Sequence, residues 1–245
     1  FTGKAIEDGL ASQGIHTDFI HLPEGNSRIN VKVKHGDETE INGQGPVITD
    51  EAINGLFAKL DTLTKEDILV LAGSIPNTLP EDIYEKILAR LESKGIRIVV
   101  DATKDLLLNV LKYHPFLIKP NNHELGEMFG TVCKTDEDII HYAKKLQEMG
   151  AVNVLISMAG DGAILITEDG QNIKMGTPKG KVVNSVGAGD SMVAGFITGY
   201  LNTKDMEKAF RLGVAAGSAS AFCSRLATRH EIVALLGEPA EVYHI

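Results

Sequence analysis

Two hydrophobic patterns take turns along the chain. Runs that are apolar almost throughout and rich in β-branched residues recur at 67–72 (DILVLA), 97–102 (RIVVDA), 116–119 (FLIK) and 152–157 (VNVLIS). Strands covered on both faces have this composition. The segments between them carry helical spacing instead. Over 79–94, Ile83, Ile87, Leu88 and Leu91 share one face and Gly95 stands at the end as a cap. Over 136–149, Ile139, Ile140, Ala143 and Leu146 turn inward and Gly150 terminates. Strand and helix in alternation predict an α/β fold, a sheet of mainly parallel strands flanked by helices.

Two regions depart from that rhythm. Across 28–42 (RINVKVKHGDETEIN) the residues alternate strictly, Ile29, Val31 and Val33 against Asn30, Lys32 and Lys34, and the turn signal His35-Gly36-Asp37 follows. This predicts a half-exposed hairpin, either an ordinary edge hairpin or one that serves as a flap over a site or as a pairing surface for another subunit. Further on, Met192, Val193, Phe196, Ile197, Tyr200 and Leu201 recur at helical spacing with Gly195 and Gly199 on a small-residue face. A next helix over 208–222 presents Ala209, Gly213, Ala216, Gly217 and Ser220. Matched small faces let two helices approach closely, although glycines can also merely relieve crowding.

Composition narrows the function classes. A chain of 245 residues with 43% hydrophobic content buries one sizeable core, as one large α/β domain or two small ones. Its formal net charge of -9 argues against nucleic acid and membrane surfaces as partners, while leaving room for a local basic pocket. Cys133 and Cys223 lie far apart without metal-ligand spacing, so neither a disulfide framework nor a zinc site is expected and a reducing cytoplasm fits. No apolar run is long enough for a transmembrane helix, and the first residues lack the features of a signal peptide. Phe1 stands where an initiator Met would, and 1–3 run straight into the helical pattern of 4–13, so the start is expected to lie in mid-domain.

The chemistry concentrates at 181–196 (KVVNSVGAGDSMVAGF), where Gly187-Ala188-Gly189-Asp190 opens the apolar helix. N–H groups at a glycine turn and a helix N-terminus lack intrahelical acceptors and gather around an anion, with the helix dipole adding favourable potential. A carboxylate there repels the anion unless it has a task, such as taking a proton from the group that attacks phosphorus. A plain N-cap role for Asp190 is the alternative. No Walker-type loop is present, and Gly195 comes too late to complete a dinucleotide fingerprint.

Two strand ends add to the picture. Lys119-Pro120-Asn121-Asn122-His123-Glu124 places a cation, an amide and a carboxylate at the C-terminal end of a buried strand, where α/β proteins hold ligands. Ser157-Met158-Ala159-Gly160-Asp161-Gly162 follows the next strand with residues small enough for a ligand to approach backbone. Each also reads as local structure: Asn121 with Glu124 as a helix-start capping pattern, and Gly160-Asp161-Gly162 as a hairpin turn. Arg28, Lys32 and Lys34 put positive charge on the hairpin, which a solvated face would equally explain.

Four stretches in this order, 17–46 (TDFIHLPEGNSRINVKVKHGDETEINGQGP), 72–84 (AGSIPNTLPEDIY, preceded by Leu71), 118–130 (IKPNNHELGEMFG) and 184–196 (NSVGAGDSMVAGF), resemble the ribokinase-like sugar kinase family, also called the phosphofructokinase B family. The likeness spans essentially the whole chain and is strongest to the branch that phosphorylates fructose 1-phosphate, with the tagatose-6-phosphate kinases close by. It implies a ribokinase-like three-layer sandwich over 1–245 with 28–42 as a β lid, and ATP with Mg²⁺ as cofactors. Asp190 then matches the catalytic base, and Gly187, Ala188 and Gly189 the anion hole. Asn121 and Glu124 match an N-x-x-E motif that positions Mg²⁺ and phosphate, Glu124 through water, and Lys119 matches a lysine approaching the ATP phosphates.

The same resemblance places Ser157, Gly160 and Gly162 in the nucleotide-side loop, with Ser185 and Val186 preceding the anion hole. Arg28 and Asn30 fall in an R-x-N element facing the sugar phosphate, with Lys32 beside them. The lid is expected to form a homodimer surface. Family members begin with a strand, a substrate-binding aspartate and a GGKG-type motif ahead of the point where this chain starts, so several dozen further residues are expected upstream. A nucleotide-binding or interaction domain without catalysis is the expectation from another class.

Overall fold

The computed structural model describes residues 1–34 and 38–237. In chain order the elements are α1 (Thr2–Ala11), β1 (Asn30–Lys34), β2 (Glu38–Asn42), α2 (Asp50–Leu60), β3 (Ile68–Ala72), α3 (Ile83–Leu91), β4 (Arg97–Asp101), α4 (Lys104–Leu108), β5 (Leu117–Ile118), α5 (Asn122–Met128), α6 (Asp136–Glu148), β6 (Asn153–Ser157), β7 (Ala163–Ile166), β8 (Asn172–Met175), α7 (Ala188–Thr203), α8 (Met206–Ala221) and α9 (Arg229–Leu236). The expected turn at His35-Gly36-Asp37 and the strand-like VYHI at 242–245 lie outside the described residues. No helix among the described residues is long and apolar enough to cross a membrane.

The chain divides into two compact units. One comprises Phe1–Asp67 and Ser74–Ile96. Its β1 and β2 pair antiparallel with Val31 opposite Ile41 and Val33 opposite Thr39, the hairpin that the alternation predicts. Helix α2 begins where the Thr49 hydroxyl accepts from the Ala52 N–H at 3.2 Å. Helix α3 buries Ile83, Ile87, Leu88 and Leu91 and ends through a tighter turn at Gly95, whose φ of 67° is the left-handed cap that glycine adopts freely. It starts at Ile83, later than the pattern suggests. Pro80 disfavours helical backbone at Leu79 before it, and the approach is made of turns, Leu79 N–H to Pro76 O and Ile83 N–H to Pro80 O. Arg90 clamps Asp61 with two hydrogen bonds of 2.7 and 2.6 Å, tying α3 to the end of α2.

The second unit, Ile68–Gly73 with the chain from Arg97, holds a six-stranded sheet in sequential order from β3 to β8. Strands β3 to β6 pair in parallel, because helical crossovers join them. The short turn after β6 instead returns β7, and then β8, antiparallel. Alternation along the strands splits the core into two layers. Val99, Leu117, Leu155, Ala163 and Leu165 pack against Val193 and Phe196 of α7 and Ala209, Phe210 and Val214 of α8. Their neighbours Val100, Ile118, Val154, Ile156, Ile164 and Ile166, also buried, face the side where α6 lies against β6 and β7 with Ile139, Ala143 and Leu146 inward. Helix, sheet and helix thus form three layers.

Burial on both faces does not extend to β3. Only Leu71 is buried there and Val70 is 42% exposed; among the described residues β3 pairs with β4 alone. The small faces of α7 and α8 meet as expected. A Cβ at Gly195 would stand 2.7 Å from Leu212 O and 2.8 Å from Ala216 Cβ, and one at Gly199 would stand 2.7 Å from Ala209 Cα. From the other helix, a Cβ at Gly217 would lie 3.0 Å from Ala188 O, in the first turn of α7. Real Cβ atoms essentially never approach under 3.0 Å and seldom reach 3.0 Å, so glycine at these positions allows α7 and α8 to pack closely. The Ser191 and Ser220 hydroxyls, 2.8 Å apart, add a polar tie between the two helices.

Candidate active site

Helix α7 starts from Gly187, whose φ of 79° and ψ of 0° put the cap residue in the left-handed region. Asp190 is therefore the third helical residue and not the N-cap; its exposed carboxylate caps nothing. The Val186 N–H donates to the Asn184 side chain at 3.2 Å and the Ala188 N–H to Ser185 O at 3.2 Å. Among the described residues, the N–H groups of Gly187, Gly189 and Asp190 have no acceptor. Three donors at the positive end of a sixteen-residue helix make an anion cradle.

Lys119 sits against this cradle. It follows β5, its side chain is 8% exposed, and a Cβ on Gly189 would lie 3.2 Å from its Nζ, so the ammonium sits close to the first turn of α7. The Asp101 carboxylate, at the end of β4, faces Lys119 Nζ at 3.3 Å. Burial pushes the Asp101 carboxyl above the usual carboxylate range; Lys119 opposes that, while the charges of Asp190 and Glu124 reinforce it. Asp101 thus feels two further carboxylates besides the ammonium, and the charges acting on it carry a negative excess.

Asn121 and Glu124 form a capping box at the start of α5. The Asn121 side chain accepts from the N–H groups of His123 (2.9 Å) and Glu124 (2.8 Å), and Glu124 Oε2 accepts from the Asn121 N–H at 2.8 Å. The capping reading holds, and it locks the Glu124 carboxylate at the C-terminal edge of the sheet. Ser157, bridged to Asn121, donates its N–H to Pro120 O at 3.2 Å. Gly162 has φ 93° and ψ -135°, and a Cβ there would stand 1.9 Å from Met175 O, so glycine is obligatory for the β7–β8 geometry. Gly160 has open space around it, and its carbonyl accepts from the Thr177 hydroxyl at 2.9 Å.

The residues expected on the nucleotide side, Lys119, Asn121, Glu124, Ser157, Gly160, Gly162 and Ser185 through Asp190, all belong to the second unit, at strand ends and at the α7 N-terminus. Arg28, Asn30 and Lys32 belong to the first. Arg28 is exposed, with Nη2 3.4 Å from Ser74 Oγ, Asn30 is exposed at the base of β1, and the Lys32 side chain lies outside the described set. Sequence reasoning passed over Asp101. Its signal was there in the pair RIVVD and FLIK, two strands ending in opposite charges, but only the sheet order shows that they are neighbours. It also passed over the anchoring of the loop before the cradle. The Val183 and Asn184 N–H groups both donate to Ala221 O (2.8 and 3.1 Å), and a Cβ on Gly180 would stand 2.3 Å from the Phe222 ring.

Amide donors, a buried ammonium and an unengaged carboxylate can hold a phosphoryl group and take a proton beside it. The comparisons agree with that chemistry. The sequence profile of the group described as pfkB family carbohydrate kinase matches residues 1–232. The chain is 50% identical to the 1-phosphofructokinase of Bacillus subtilis over 97% of its own length and 78% of the relative's. It is 36% identical to the D-tagatose-1-phosphate kinase of Bacillus licheniformis, over 92% of this chain and 74% of that one. A candidate phosphofructokinase from Staphylococcus aureus superposes with a TM-score of 0.87 at 45% identity, covering 96% of this chain and 76% of that one. The fold is ribokinase-like, as the motifs imply, and the chain belongs to the pfkB family of carbohydrate kinases.

Proposed function

We propose that this kinase transfers the γ-phosphoryl group of ATP to fructose 1-phosphate, giving fructose 1,6-bisphosphate, with Asp190 as general base. One observation carries the reading: an exposed carboxylate that caps nothing stands in the first turn of α7, beside three N–H groups without acceptors and a buried ammonium. In this reading Asp190 takes the proton of the sugar hydroxyl as it attacks phosphorus. The N–H groups around Gly187, Ala188 and Gly189 stabilise the transferring oxygens, the Ala188 N–H least because Ser185 O already occupies it. Lys119 meets the phosphates, and Ser157, Gly160, Gly162, Ser185 and Val186 line the nucleotide side.

Hard carboxylate oxygens and surplus negative charge at Asp101, Glu124 and Asp190 suit Mg²⁺ arriving with ATP. The described residues contain no group of three or more ligands able to hold a metal alone. Glu124 would hold the ion through water, and the ion would neutralise charge on the β- and γ-phosphates. Arg28 and Asn30, with Lys32, face the phosphate of the sugar, offsetting its repulsion from ATP. The β1–β2 hairpin serves as lid and as a pairing surface for a second copy, supported by the exposure of Ile29, Val31, Val33 and Ile41 on one face. A cytoplasmic location is part of this reading, since ATP is its phosphoryl donor.

The relative named for tagatose 1-phosphate supports a second reading, a tagatose phosphate as acceptor. A coupled ADP-release assay with fructose 1-phosphate, fructose 6-phosphate, tagatose 1-phosphate and tagatose 6-phosphate separates the two. The highest kcat/KM is expected with fructose 1-phosphate. Silence with all four despite measurable ATP binding would leave a nucleotide-binding domain without catalysis.

A further inference from the structure

Asp101 has no part in the motifs that mark this site, yet it is the charged group closest to its buried cation. The register between β4 and β5 pairs Val99 with Leu117 and Val100 with Ile118, so the next pair along the ladder is Asp101 with Lys119. Both side chains are largely withdrawn from solvent, 18% and 8% exposed, so water screens their attraction little. A lysine has a flexible four-carbon stem and no intrinsic direction. Here its ammonium is directed by the Asp101 carboxylate at 3.3 Å and stands beside Gly189, where a Cβ would lie 3.2 Å from Nζ. Among the described residues Asp101 is the one ion-pair partner of Lys119.

We infer that Asp101 is a positioning residue of the transfer site, acting through Lys119 by holding its ammonium against the N-terminus of α7, where it meets the phosphates of ATP. The inference rests on the reading of Lys119 as the phosphate-contacting cation. An ammonium has three donors; the carboxylate engages one and leaves the others for the ligand. The two other carboxylates near Asp101, on Asp190 and Glu124, are the groups a loose lysine would be drawn toward. Were Lys119 to swing onto Asp190, it would hold the base in an ion pair and vacate the cradle. The Asp101 carboxylate opposes that excursion because it ends the strand paired with β5, at the ladder position beside Lys119.

The test is a double-mutant cycle in the full chain, with Asp101→Asn, Lys119→Met and the two combined, and with Asp101→Glu as the conservative variant. Circular dichroism and a thermal melt confirm that each variant is folded. Asp101→Asn should raise the KM for ATP by about tenfold or more, the scale of one charge-assisted contact, and leave the KM for the sugar phosphate within about twofold. A merely structural loss would lower the active fraction and spare both KM values. Asp101→Glu should recover part of the effect, and the double variant should be no worse than Lys119→Met alone. Unchanged ATP kinetics in Asp101→Asn would overturn the inference. So would an equal loss with and without Lys119, which would show Asp101 acting on the ligand or the fold directly. If Lys119→Met itself matches the unsubstituted enzyme, it is the underlying reading of Lys119 that fails.

Discussion

At the N-terminus of α7 the groups that would meet a phosphate are held by their neighbours, whereas along the β1–β2 hairpin the residues assigned to the sugar phosphate stand in solvent. The cradle is backbone, fixed by helices packed so closely that glycine alone fits at Gly195 and Gly199, and its cation is buried against a carboxylate. The hairpin has the opposite construction. Ile29 and Ile41 are 62% and 60% exposed, and among the described residues Arg28 makes a long contact to Ser74. A cradle of this kind is preorganised and loses little entropy when charge develops. An exposed apolar ribbon is a surface that favours a cover, and the proposed pairing with a second copy of the chain would supply one with matching chemistry.

If this contrast is right, damage to each region should have its own signature. The largest effect on stability is expected from Gly195→Leu, which forces a side chain into the α7–α8 contact and should cost about 3 kcal/mol, read as a fall in Tm. Conversion of Ile41 to Glu should leave the melt almost unchanged but shift the sedimentation of the protein toward monomer. A dimer that survives this change would remove the hairpin as its surface. Arg28→Ala should raise the KM for fructose 1-phosphate about tenfold, equivalent to about 1.4 kcal/mol, with the KM for ATP untouched. An effect on ATP alone would misplace that residue.

The smallest effect concerns the start of α9. There the Arg225 guanidinium, together with the Thr228 N–H and hydroxyl, holds the Glu231 carboxyl down to about 2 from its ordinary 4.5. A depressed carboxylate contributes stability that is present above about pH 4.5 and is lost as pH falls toward 2. The Tm difference between the unsubstituted protein and Glu231→Gln should therefore shrink over that acid window, and only slightly because the site is exposed.

The strands of the second unit were legible because burial on both faces leaves continuous apolar runs, and the helix start at 187–190 because glycines precede an apolar helical pattern; that Asp190 is not the N-cap became visible only with Gly187 in that place. Position within the sheet was not legible. The run DILVLA ends the strand order among the described residues, with only Leu71 of it buried, and composition does not tell which strands are neighbours. Asp101 was hidden for the same reason: a charge that ends a strand is ordinary until the strand order sets it beside Lys119. Asn121 and Glu124 show a different difficulty. The capping box satisfies the local pattern completely, so no further signal in that stretch distinguishes a helix start from a ligand-positioning carboxylate.

The central claim is that binding of the phosphate belongs to the backbone cradle while the proton belongs to Asp190. Measuring kcat by coupled ADP release and ATP affinity by calorimetry, both on Asp190→Asn, tests the two halves at once. The expected result is a fall in kcat of about 100-fold to 10,000-fold, the range for loss of a general base, with the Kd for ATP within about threefold of the unsubstituted enzyme. Undiminished turnover, or a collapse of ATP binding large enough to explain the loss of activity, would contradict it.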